Sequence, residues 1–134
     1  MGKFSRVKIA GRWVDAPRWA LDLPFEVRPS RGFRTTAWAL WKPTLTLLAR
    51  AAKAERRRLE WVRIHDHLGT RREPRHPFGW VITETGEMFL CSYDKGTALH
   101  ELAHLITGDA HGDAWARRCF ELHRRYLSAR AVRQ

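Results

Sequence analysis

The sequence is poor in acid, in cysteine and in long apolar runs. Only 14 residues are Asp or Glu, against 25 Lys and Arg, so the formal charge is +11. Arginine dominates the basic set, with 20 Arg and 5 Lys. Two cysteines, Cys91 and Cys119, exclude a disulfide-framed scaffold. No uncharged stretch approaches the roughly 20 apolar residues of a membrane span. The N-terminal MGKFSRVKIAGRW has no apolar core of a secretory signal, so the expectation is a cytoplasmic protein with no membrane partner. Low-complexity tracts and internal repeats are also missing.

What remains is ordinary globular material. Hydrophobic residues make up 44% and charged residues 29%, with seven Trp and six Phe for a core. A chain of 134 residues corresponds to one domain. Residues 1–34 read as an N-terminal extension, in which Val7–Ile9 and Trp13–Val14 form a short strand pair turning at Gly11. The stretch Asp22–Gly32 reads as loop because of its Pro and Gly. Residues 35–95 carry a helix and a small sheet. The helix is expected over Pro43–Glu60, with Pro43 at its first position. The strands are Trp61–His65 and a hairpin of Phe78–Thr83 with Glu87–Ser92. Residues 96–128 carry two helices. Thr97 caps the first, which stops at Gly108, and Asp113 caps the second. The order is α+β rather than alternating βα units. A small antiparallel sheet is expected to pack on the first of these helices, with Glu87–Leu90 along a cleft.

The chemistry concentrates in Leu99-His100-Glu101-Leu102-Ala103-His104, an H-E-x-x-H on a helix. Two His four residues apart stand one above the other and can reach one ion. Glu101 is adjacent and can take a proton from water at that ion. With seven His and eight Glu in the chain, random order produces about 0.02 such motifs. The rest of this helix carries no Lys or Arg and is apolar, so its one polar stripe must face a cleft and needs a partner there. A catalytic zinc has three protein ligands and leaves a position for water. His111 follows at the turn, in Gly108-Asp109-Ala110-His111-Gly112-Asp113. Glu121 and Asp113 compete as third ligands, though each has a simpler role as ion-pair partner or helix cap. A closed structural site using Cys91 is a further alternative.

These residues resemble the zincin metallopeptidases. The likeness is closest to small SprT-like proteins and to short HExxH proteins of actinobacteria and their phages, in which HELAH is followed by HGxxF or HGxxW. It covers about residues 97–128, ending its motif at His111-Gly-Asp-Ala-Trp115. It implies a minimal zincin-like fold, zinc held by His100, His104 and His111, a catalytic Glu101 and a peptide or protein substrate. Trp115 matches the last aromatic and is expected in the core. The H-x-x-x-G-x-x-H spacing is one residue longer than in metzincins and shorter than is usual in SprT-like proteins, and no Met-turn is evident.

Weaker candidates surround the motif. Tyr93, His123 and Tyr126 are possible oxyanion donors. His65, His67 and His76 read as exposed. Arg56–Arg58, Arg71, Arg72, Arg75 and the Arg residues of 117–125 suggest DNA as a partner. The reading from a different class is a basic nucleic-acid-binding module with a structural or vestigial zinc site.

Overall fold

A computed structural model describes residues 3–65, 79–108 and 110–127. The first element is a hairpin of β1 (Phe4–Ile9) and β2 (Arg12–Pro17), paired from Phe4↔Pro17 to Ile9↔Arg12. Its two turn residues, Ala10 and Gly11, both have positive φ, the turn whose twist suits a tight hairpin. One helical turn, α1 (Arg18–Leu21), leads to β3 (Glu26–Pro29). This strand corrects the loop expected over Asp22–Gly32. Pro24 and Pro29 hide it in the sequence, yet Pro29 costs no inner ladder bond because β3 is at the edge of the sheet.

The long helix α2 covers Trp38–Ala54, after a 3-10 turn at Thr35–Ala37. It therefore starts earlier and ends earlier than the expected Pro43–Glu60. Buried Trp38, Trp41, Leu45, Leu48 and Ala52 extend the apolar stripe toward the N-terminus, and this outweighs the exposed Pro43 inside the helix. The stop is made by Arg56 in the left-handed region, with Arg57 N–H on Ala52 O and Arg56 N–H on Lys53 O. That is a Schellman closure built without glycine, so no glycine marks it.

The main sheet holds β3, β4 (Trp61–Ile64), β6 (Glu87–Leu90) and β5 (Gly79–Ile82), in that spatial order. Pairs β3–β4 and β4–β6 are parallel, and β5–β6 is the expected antiparallel hairpin. The sheet is thus mixed rather than wholly antiparallel. The cause is α2, a crossover that returns the chain parallel to β3. Val27, Val62, Ile64, Met88 and Leu90 point inward onto the helices. Ala16, Ala20 and Phe25 from the N-terminal 34 residues join the same buried cluster as α2, α3 and α4.

Helix α3 (Lys95–Thr107) packs against α2, β5 and α4 (Asp113–Leu127). Its cap is Asp94, whose carboxylate accepts the Thr97 N–H at 2.9 Å, so Thr97 is inside the first turn and is not the cap. Ala98, Leu99, Leu102 and Ala103 are fully buried. The stripe expected on α4 also forms: Leu122 is buried, and Trp115, Cys119 and Tyr126 pack on the core. No helix among the described residues is long and apolar enough to cross a membrane.

Candidate metal centre

His100 and His104 are one turn apart on α3 and share a face. The chain then reverses: Gly108 ends the helix at φ 68, its N–H on His104 O, and His111 is itself left-handed at φ 68. Two left-handed residues within four positions bring the third imidazole back over the helix. His111 Nε2 lies 3.1 Å from His104 Nε2 and 3.2 Å from His100 Nε2. All three donor atoms fall within 4.8 Å of one another.

This spacing fits one shared ion. Ligands at bonds of about 2.05 Å in a tetrahedron stand about 3.3 Å apart. Protons fit it worse. A neutral imidazole nitrogen either donates or accepts in its ring plane, and His111 Nε2 faces two other ring nitrogens at once. His100, His104 and His111 can therefore hold a metal ion, and they form the one such group among the described residues.

Trp115 forms the wall behind the group. Its ring centroid is 4.8, 5.2 and 4.6 Å from those of His100, His104 and His111. Its Nε1 donates to the His100 carbonyl at 3.3 Å, tying α4 to α3. The expected core residue is thus also the platform that restricts all three rings.

Glu101 is next in sequence, about 100° around the helix, and lines the same cleft. Its side chain is 7% exposed, with Oε2 3.9 Å from His100 Nε2. Burial raises its carboxyl to about 7. His100 moves oppositely, to about 4, first through burial and then through the neighbouring His104, His111 and His123. The imidazole stays in its neutral, ligating form. Burial, with Glu101 second, also raises the Cys119 thiol, which favours the uncharged thiol over a thiolate ligand.

A cleft of about 830 Å³ opens over the group. Gly79, Trp80, Val81 and Thr83 form one side, α3 the floor, and Cys119 and His123 of α4 the other side. The strand along the cleft is β5, which corrects the expected Glu87–Leu90. Strand β6 is interior, whereas β5 is an edge among the described residues. Gly79 lets β5 sit close: a Cβ there would be 2.7 Å from Phe89 O and 3.4 Å from Glu101 Cγ.

The rival ligands are elsewhere. Glu121 is exposed and pairs with Arg118 at 3.5 Å, Asp113 is exposed at the start of α4, and Cys91 is buried outside the group. Of the weaker candidates among the described residues, only His123 lines the cleft. Tyr93 packs edge-on against Trp41, with its carbonyl accepting from Thr44, and Tyr126 lies under the Arg50 guanidinium. His65 is half-buried beside Phe89 rather than exposed. His67, His76, Arg71, Arg72 and Arg75 lie outside the described residues. Sequence reading found β5 as a strand of the hairpin but missed its place along the cleft and the role of Trp115. The one available signal was Gly79 next to an aromatic in a short apolar run.

No protein-family model matches the chain, and no curated protein does. Among solved structures it is similar in fold to Wss1 from Saccharomyces cerevisiae. The match has a TM-score of 0.58 at 19% identity and covers 76% of this chain and 88% of that one. A Wss1 mutant structure matches with the same TM-score and identity over 89% of its chain.

Proposed function

We propose that this protein is a zinc-dependent metallopeptidase that binds its substrate as an extended chain along β5. The observation that carries this reading is the convergence of three imidazole nitrogens, with a buried Glu101 beside them, on the floor of a cleft edged by a strand. The fold likeness to Wss1 supports the broad zincin-type family rather than a narrower subgroup. Zinc held by His100, His104 and His111 supplies Lewis acidity at the scissile carbonyl and a water that ionises near neutral pH.

The chain's own residues do the rest. Trp115 holds the three rings in ligating orientation. Strand β5, an edge of the sheet among the described residues, would take the substrate as an added strand, so recognition rests on backbone more than on side chains. Glu101 takes the proton of the attacking water and passes it to the leaving nitrogen. Burial alone raises that carboxyl to about 7, and a neighbouring cation would lower it toward the proton-accepting form.

The test pairs metal analysis with cleavage. Purified protein is expected to carry one zinc per chain and to cut an unfolded protein or a mixed peptide library. Protein that is zinc-replete yet cuts nothing, with and without DNA, overturns the peptidase reading and leaves a metal-bound scaffold.

A further inference from the structure

The cleft has two sides, and the proposed function uses only one of them. A strand added to the β5 edge directs alternate main-chain groups toward β5 and the others away from it. The outward groups of a bound peptide lose water on entering the cleft and need partners on the far side. That side is α4, and the polar ring it presents to the cleft is His123.

The orientation of this ring is set by its own helix. His123 Nδ1 is 2.8 Å from the Cys119 carbonyl one turn earlier. A carbonyl only accepts, so Nδ1 carries the hydrogen. In the neutral ring Nε2 is then left as an acceptor, and it makes no hydrogen bond among the described residues. Nε2 reaches the first turn of α3, where a Cβ at Gly96 would lie 2.9 Å from Asp94 Oδ2 and 3.3 Å from His123 Nε2. Glycine in a helix costs about 1 kcal/mol relative to alanine. At position 96 it leaves room for the Asp94 cap carboxylate and for the ring.

Resting on the peptidase reading, we infer that His123 is a substrate-contacting residue: its Nε2 accepts a main-chain N–H of the bound peptide that points away from β5. The peptide is clamped between a strand edge and one imidazole. Specificity on this side is for an unsubstituted amide, not for a side chain.

The experiment uses zinc-loaded full-length protein and two probes, followed by tryptophan fluorescence. Acetohydroxamate takes only the metal. A hydroxamate-capped tripeptide adds main chain along the cleft, and a set of singly N-methylated versions removes each N–H in turn. His123→Phe keeps a planar ring and lacks Nε2, with His123→Leu, which also lacks any acceptor, as the second variant should Phe misfold.

Acetohydroxamate is expected to bind wild type and variant alike, with zinc content and Tm unchanged. The tripeptide should bind the variant about 3- to 10-fold more weakly, the range of one neutral hydrogen bond. N-methylation at one position should cost wild type that same factor and cost the variant nothing further. Equal losses in both proteins at every position overturn the inference while leaving the peptidase reading intact. Failure of acetohydroxamate to bind zinc-loaded wild type overturns both.

Discussion

The two flanks of the cleft differ in how they are held. The α4 flank is local: His100 to Trp115 are 15 residues apart, and a glycine cap, a left-handed His111 and an indole stack hold them together. The β5 flank is non-local. Gly79 meets Phe89 through the sheet and Glu101 through packing, and no hydrogen bond among the described residues joins β5 to α3 directly. A local flank survives small shifts of the domain because its parts move together. A packed flank depends on every layer beneath it.

The largest effect is expected where the local flank is broken. His100→Ala, His104→Ala or His111→Ala should each abolish zinc retention through dialysis. The loss should exceed the roughly 10- to 100-fold that removing an outer partner of a metal ligand costs. Trp115→Phe, which loses the indole N–H bond to His100 and part of the ring surface behind the imidazoles, belongs in that smaller range. Metal stoichiometry and competition with a chromophoric chelator measure both. Full zinc occupancy in His111→Ala would move the third ligand to Glu121 or Asp113.

Next is the residue between the flanks. Glu101→Gln should keep zinc and fold while lowering turnover by about 10²- to 10⁴-fold. Loss of zinc with unchanged turnover per bound metal would make Glu101 a structural partner instead.

The same substitution tests the burial of Glu101 without a substrate. In metal-free protein its carboxyl holds a proton up to about 7, against an ordinary value of 4.5. Below pH 4.5 both folded and unfolded chains are protonated, and the stabilising difference is fully present. As pH rises through 7 it is lost. Wild type should therefore lose stability relative to Glu101→Gln between pH 4.5 and 7, by at most about 3 kcal/mol. Parallel denaturation curves over that window would show that Glu101 is solvated.

Gly79→Ala breaks the packed flank alone. The new Cβ would be 2.7 Å from Phe89 O, so β5 must shift, at a cost of about 1–3 kcal/mol. Zinc should be retained and peptide binding reduced. Loss of zinc would show that the two flanks are not separable.

The smallest effect belongs to the arginine surface. Arg118 and Arg125 both reach Glu55, at 3.2 and 3.5 Å, and Arg57 donates to Ile106 O at the end of α3. Arg125→Ala should cost less than about 1 kcal/mol in urea unfolding, because Arg118 still partners Glu55.

These differences explain which parts were legible. The H-E-x-x-H helix, its glycine stop, His111 and the stripe of α4 follow from short-range periodicity and cap chemistry, so they could be read along the chain. Asp94 could have been read as the cap, since it precedes Thr97 by the capping interval. The end of α2 could not, because Arg56 takes a conformation that usually marks glycine.

Residue order alone established the chemistry on offer: two His and a Glu on one helix stripe, a third His after a glycine, and an apolar remainder that had to be buried. Helical geometry acts over one or two turns, and residue order is enough for it. The setting came from the packing of distant segments. That packing placed β3 in the sheet beside β4, made β5 rather than β6 the strand along the cleft, put Trp115 behind three imidazoles, and turned Glu121 to solvent. Each of these depends on which distant segments share a layer, and that is chosen by summed packing over the whole core rather than by any local pattern.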